Sequence, residues 1–267
     1  MPPVIVEARL RHNGQKLRFS DVDGGWADAQ RQSTGYAAGE IVNRVAAATR
    51  EVVAGRALYE RDSVLFYEPD YPFPIVAALL HAALAHGGNL TVIDYGGSLG
   101  STYRQCRPML RHIPSLRWHV IEQAHFVEIG RSEFGTEQLL FWPSVHDLPP
   151  LPGPSFLLIS SVLQYLEEPE AILAVLLGLN ASHLIIDRTP MSADSVSRLC
   201  IQHVPPSIYQ ARYPCWVLSR PRLRSVLATS GWQVTAELLN TEGTYSTPSG
   251  FGFEFRGLLA ERRTEAS

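Results

Sequence analysis

Two short apolar runs in this chain each end in an acidic residue, and a glycine-rich turn follows the first. That run is Leu90-Thr-Val-Ile-Asp94; it continues through Tyr95-Gly96-Gly97-Ser98-Leu99-Gly100 into Ser101-Thr-Tyr103. A buried strand that ends in an acid and turns through glycines into a helix suits nucleoside binding. Glycines let the backbone approach a ligand closely and take conformations that other residues avoid. Amides at a helix start carry partial positive charge and can receive a carboxylate. Alone, the same turn also serves as a plain strand-to-helix connection with Asp94 as a cap.

Two ligand classes use such a loop. A dinucleotide would place its pyrophosphate there, and an acid at the strand end would repel it. S-adenosylmethionine has no phosphate and brings an ammonium, a sulfonium and a carboxylate. Asp94 is expected to favour the cationic part, directly or through water, with the amides of Gly96, Gly97, Ser98 and Gly100 serving the carboxylate.

The second acid is Glu122, at the end of Trp118-His-Val-Ile-Glu122 and 22 residues beyond Gly100. That is close to the roughly 20-residue offset at which a carboxylate accepts hydrogen bonds from ribose hydroxyls. Its two oxygens match two neighbouring donors; a surface glutamate at a strand end is the plainer reading. After a third run, Ser144, Val145, His146 and Asp147 are candidates to hold adenine, or a proline-limited loop. After a fourth, Phe156-Leu-Leu-Ile-Ser160, the residues Ser160, Ser161, Gln164 and Tyr165 should line the reaction chamber, because ligands of open α/β sheets sit outside strand carboxyl ends.

The elements that must position these residues alternate. Strands are expected at 90–94, 118–122, 138–141, 155–160 and 183–187, with helices over 101–112, 125–134 and 169–179 between them. This repeat is the pattern of a parallel sheet covered by helices. Helices over 33–53 and 75–85 precede it, and a helix over 223–230 and a hairpin of 232–238 with 251–259 follow. Asn13-Gly14 marks a tight turn in a possible ribbon over 4–19. The expected division is an N-terminal arm and helical lid region over 1–88 and a cofactor-binding domain over 89–267, with a substrate insertion at 189–219.

These pieces together resemble a family of bacterial class I, Rossmann-like methyltransferases often encoded among surface-polysaccharide genes. The shared segments are Arg61-Asp-Ser-Val-Leu-Phe66, Asp94 to Gly100, Trp118 to Val127 with Glu122-Gln123, Ser160-Ser-Val-Leu-Gln-Tyr-Leu166, Ile185-Ile-Asp-Arg-Thr-Pro190 and Ile208 to Trp216. The resemblance spans about residues 24–260. It implies an α/β sheet with an antiparallel last strand and S-adenosylmethionine as cofactor, and it adds Gln123 to the cofactor set and Arg188 to the acceptor set. It names no acceptor. One departure stands out: Ser98 replaces the middle glycine of the usual loop.

In the insertion, Tyr209, Tyr213 and Trp216 accompany His203, Arg212 and Cys215, a mixture suited to a sugar or another polar ring. The plainer reading is that the aromatics staple an irregular loop to the sheet. Tyr36, before the first long helix, is expected to reach the donor's carboxylate, and Arg61 and Asp62 to form a local ion pair or capping contact. A base would help a hydroxyl acceptor, and His203, His125 or Asp187 are the candidates.

Net charge of −3 over 267 residues gives no general attraction to nucleic acid, and no Asn-Pro-Pro-Tyr motif follows the fourth strand. Three dispersed cysteines indicate neither a metal site nor disulfides. No apolar run is long enough for a membrane span, and a cytoplasmic protein is expected. The function expected is methylation of a small molecule, sugar or glycan intermediate, as in polysaccharide biosynthesis. An NAD-dependent oxidoreductase and a non-catalytic binding module of the same fold are the alternatives.

Overall fold

Short apolar strands with helices between them bury both faces of a sheet only if the helices cross over it, which makes the sheet parallel. The computed structural model describes residues 17–33, 38–204 and 211–263. The chain begins with β1 (Arg18–Asp21), α1 (Trp26–Arg31), α2 (Ala38–Val53), the hairpin β2 (Tyr59–Arg61) and β3 (Val64–Phe66), and α3 (Phe73–Ala85). The alternating part follows as β4 (Asn89–Tyr95), α4 (Ser101–Cys106), β5 (Ser115–Ile121), α5 (Ala124–Ile129), β6 (Leu139–Trp142), β7 (Ser155–Ser160), α6 (Pro169–Leu177) and β8 (Ala181–Ser192). It closes with β9 (Arg198–Val204), β10 (Ala211–Ser219), α7 (Arg220–Thr229), β11 (Trp232–Ser246) and β12 (Gly252–Arg262).

The described residues fall into two compact units. The first comprises 38–160 and 179–185. Its strand order is β6-β5-β4-β7, with the first residues of β8 beyond β7. The pairs β4–β5, β5–β6 and β4–β7 are parallel. Successive strands thus go to one side of β4 and then to the other, the Rossmann-like α/β arrangement. Val92, Trp118, Val120, Leu139, Leu157, Leu158 and Ile159 are fully buried and form its centre.

The second unit comprises 17–33, 161–178, 186–204 and 211–263. There β1, β9 and β10 pair antiparallel in that order, and β10 meets the end of β8 in parallel at Leu218 and Ser219. The long strands β11 and β12 form the expected terminal hairpin, and β12 also bonds to β8. Phe19, Cys200, Cys215, Val217, Phe251, Phe253 and Phe255 pack as one apolar cluster, with Phe19 edge-on to Phe253 at 4.8 Å. Ser219 caps α7 by accepting from the Arg222 amide at 3.2 Å, and Pro221 follows in its first turn.

Several expectations are corrected. The 189–219 segment is not an irregular loop: most of its described residues lie in β8, β9 and β10. Pro214 disguised it, since proline usually stays out of a sheet interior; here it pairs with Ile201 where β10 has not yet reached β8. The helix over 101–112 stops at Cys106, and that over 125–134 passes into a π turn at Gly130–Phe134. Gly130 is needed there, because a Cβ would lie 2.6 Å from the Phe141 ring. The turn of β2–β3 is Asp62-Ser63, with both residues at positive φ, the requirement of a two-residue hairpin. The Asn13-Gly14 ribbon lies outside the described residues apart from its last three positions.

Leu158→Ala in the centre of β7 should lower unfolding stability by about 3 kcal/mol through transfer and cavity losses. Val196→Ala, at a position 67% exposed, should change it by less than about 0.5 kcal/mol. Urea midpoints check both, and equal effects would show that the first unit's centre is not where these side chains place it.

Candidate functional site

At the carboxyl end of β4 the chain leaves the sheet where its neighbours β5 and β7 diverge, the usual ligand crevice of an open α/β sheet. Asp94, held between Val120 of β5 and Leu158 of β7, is 1% exposed. Its carboxylate accepts from the Trp118 indole N–H at 2.9 Å and lies directly beneath Gly97. A Cβ on Gly97 would fall 2.5 Å from the Asp94 carboxyl, so only glycine lets the loop settle on the acid. Burial, opposed by the indole bond, pushes the Asp94 carboxyl up to about 7.

The remaining loop residues are fixed in turn. The Gly96 amide donates to the Ile121 carbonyl at 2.9 Å, and the Gly100 amide to the Gly97 carbonyl at 3.0 Å. Gly96 and Gly100 have φ of +73° and +85°, and a Cβ on Gly100 would crowd Leu139 at 2.9 Å. Ser98, the substitution noted in the sequence, adopts φ +54°, a left-handed conformation costing a non-glycine residue roughly 1–2 kcal/mol. Its amide donates to Glu122 Oε1 at 3.2 Å, while the Gln123 amide donates to Glu122 Oε2 at 2.8 Å. Glu122 therefore ties the ends of β4 and β5 together. Its carboxyl is raised by burial and lowered by these two amides. Each oxygen keeps a further lone pair for a ligand hydroxyl.

Among the expected cofactor residues, Asp94, Gly96, Gly97, Ser98, Gly100, Glu122 and Gln123 gather in this one place, but the amides of Gly96, Ser98 and Gly100, expected to serve a ligand carboxylate, are spent on Ile121, Glu122 and Gly97. Ser144 starts the short helical turn Val145–Asp147 after β6, where its Oγ accepts from the His146 amide at 3.2 Å. Ser160 ends β7 in the same unit. Tyr36 and Tyr209 lie outside the described residues. The sequence did not reveal the burial of Asp94: direct contact between its carboxylate and a ligand is blocked at 1% exposure. It also missed Glu60, on the hairpin strand β2. Glu60 is buried, accepts from the Ser101 hydroxyl at the start of α4 and from the Ser63 amide, and is pushed up to about 7 by burial.

His125, in the first unit, has its Nε2 buried with no hydrogen-bond partner. The other candidate bases belong to the second unit. His203 on β9 shares a 2.9 Å hydrogen bond with Ser20 Oγ; burial and then the nearby Arg212 and Arg18 lower its pKa. Asp187 on β8 is buried, which raises its pKa, and accepts from Asn240 Nδ2 at 2.8 Å. Ser161, expected among the cofactor residues, belongs to the second unit, where its amide donates to the Asp187 carbonyl at 3.0 Å. Gln164 bonds to Ser161 Oγ and to the Arg188 carbonyl. Tyr165 donates to Gln202 and meets Tyr213 edge-on at 5.4 Å. Trp216 stacks on Trp26 at 6.4 Å and lines a cavity of about 380 Å³ together with Val196, Pro169 and Arg222.

No protein-family model matches the chain, and no curated protein matches it in sequence. Among solved structures it is similar to Burkholderia thailandensis 1,6-didemethyltoxoflavin-N1-methyltransferase, bound to 1,6-didemethyltoxoflavin and S-adenosylhomocysteine. The identity is 15%, the TM-score 0.45, and 92% of this chain and 95% of that one are covered. The N-terminal domain of EvdMO1 with S-adenosylhomocysteine and D-fucose is 14% identical at TM-score 0.48, over 85% of this chain and 98% of that one. The glycopeptide N-methyltransferase MtfA with S-adenosylmethionine is 14% identical at TM-score 0.48, over 70% and 93%.

An acid whose pKa rises on folding binds more protons folded than unfolded between its two values. The Asp94 contribution to stability is therefore fully present below 3.8 and is lost as pH climbs through about 7. Asp94→Asn lacks this loss, so the difference between variant and wild type should move in the variant's favour from about pH 4 to about pH 8. Urea midpoints across that range test it; a constant difference would mean that Asp94 is not desolvated beneath the loop.

Proposed function

We propose that this chain is an S-adenosylmethionine-dependent methyltransferase whose donor site is the loop from Asp94 to Gly100, with Glu122 beside it. The observation that carries the reading is the buried Asp94 carboxylate, packed under Gly97 and the loop that Glu122 anchors. A pyrophosphate over that loop would face two carboxylates; a sulfonium or ammonium would be stabilised by them. The space where a Gly97 side chain would stand is filled by the Asp94 carboxyl, so the seating of the loop depends on glycine there.

When bound, S-adenosylmethionine supplies a methyl group on a sulfonium that leaves readily. Asp94 acts through the loop it supports and through its charge, not by touching the ligand. Glu122 offers its remaining lone pairs to the ribose hydroxyls and holds Ser98 in its strained conformation. Gln123, Ser144, Val145 and Ser160 are assigned to the adenosine. Positioning supplies much of the acceleration in such a transfer. His203, held by Ser20 and disfavoured as a cation, is the proposed base if the acceptor is a hydroxyl, with Asp187 and His125 as alternatives. The acceptor is a small molecule, sugar or glycan intermediate, for which Tyr165, Tyr213, Trp216 and Arg188 supply ring faces and polar groups.

Calorimetry with S-adenosylmethionine and with NAD separates this reading from an oxidoreductase. Binding of the first and not the second is expected. Gly97→Ala, which drives a methyl into the Asp94 carboxyl, and Glu122→Ala should each weaken the first by tenfold or more, about 1.4 kcal/mol, with the circular dichroism spectrum unchanged. Tight NAD binding, or unchanged donor affinity in both folded variants, would overturn the assignment.

A further inference from the structure

The second unit holds two buried side-chain amide oxygens that the protein's own hydrogen bonds leave without a donor. Ser161 and Arg188 have φ of +59° and +48°, conformations that side-chain-bearing residues avoid and that concentrate at functional sites. Gln164, fully buried, joins them: its Nε2 donates to Ser161 Oγ at 3.2 Å and to the Arg188 carbonyl at 3.3 Å. A carbonyl only accepts, so the amide nitrogen must face it and Oε1 must turn away. That oxygen is buried and has no donor.

The same logic applies at Asn240 on β11. Its Nδ2 donates to Asp187 Oδ1 at 2.8 Å, which leaves its own Oδ1 buried with no donor. The two orphaned oxygens therefore lie on side chains bonded to consecutive residues of β8, Asp187 and Arg188. At the edge of the group, Arg188 and Glu242, each about a quarter exposed, form an ion pair at 2.8 Å. Buried polar atoms without partners are few in native proteins. Two of them here are of one kind, both amide acceptors, a deficit that a ligand bringing donors would meet.

We propose that Gln164 Oε1, Asn240 Oδ1 and the Asp187 carboxylate form a recognition site for a ring rich in hydroxyl and amino donors, chemically a sugar or amino sugar. Its role as the methyl acceptor's site rests on the methyltransferase reading above; the binding chemistry does not. The site selects by donors on the ligand and not by apolar area, and it discriminates against rings that lack them.

The test titrates the full-length protein with D-glucosamine and with cyclohexanol, a ring with a single hydroxyl, by saturation-transfer NMR, and with S-adenosylmethionine by calorimetry. D-glucosamine should bind at least tenfold more tightly than cyclohexanol, and Gln164→Met and Asn240→Ala should each weaken it about tenfold. S-adenosylmethionine affinity should be unchanged in Asn240→Ala, which also reports that this variant folds, and the circular dichroism spectrum reports the folding of Gln164→Met. Asn240 is only half-buried, so its variant keeps the test alive if Gln164→Met does not fold. Equal binding of the two rings, binding of neither, or undiminished D-glucosamine binding by Asn240→Ala would overturn the site. A protein that binds D-glucosamine in this pattern but not S-adenosylmethionine would sink the methyltransferase reading and leave the site standing.

Discussion

A single carboxylate carries an unusual share of this structure: Asp94, enclosed by two neighbouring strands, bonded to the Trp118 indole and pressed against the underside of Gly97. An acid so placed is costly to ionise, and the protein has one strong donor to offset that. The loop above inherits the geometry. Gly97 cannot carry a side chain, Ser98 is driven into a left-handed conformation, and Glu122 spends two of its lone pairs on the amides of Ser98 and Gln123. A positive ligand over such a loop relieves the electrostatic strain, and a negative one adds to it. That asymmetry ties the fold to the proposed methyl donor.

The second unit solves a different problem. Its sheet is extended by β9, β10 and β1 around an aromatic and cysteine-bearing core, while its polar side chains gather about Asp187 and Arg188. The apolar side is complete: its rings meet edge-on at ordinary distances. The polar side is not, with two amide oxygens lacking donors and two residues held in unfavourable conformations. The complete apolar cluster and the incomplete polar group thus draw on different strands of the unit.

Much of the first unit was legible before any coordinates. The runs at 90–94, 118–122 and 155–160 read as strands because they are short, apolar and bounded by turn residues, and Glu122 stood out by its distance from Gly100. What an isolated run cannot express is which side of a strand end faces inward. An acid at the tip of β4 looks the same whether it greets solvent or lies under a loop, and its partner Trp118 is 24 residues away. Glu60 escaped notice because β2 is only three residues long. The strands β9 and β10 were hidden by Pro214 and by polar residues such as Gln202, which is buried and accepts from Tyr165. Their pairing is long-range, and local pattern does not record it.

No helix among the described residues is long and apolar enough to cross a membrane; the residues proposed for the chemistry stand at strand ends. The most direct measurement there is a carbon-13 NMR titration of the Asp94 carboxyl, alone and with saturating S-adenosylmethionine or S-adenosylhomocysteine. The account predicts an inflection near 7 in the free protein, displaced downward by the sulfonium ligand and displaced less by its uncharged-sulfur counterpart. An inflection in the ordinary aspartate range, or one indifferent to both ligands, would contradict it.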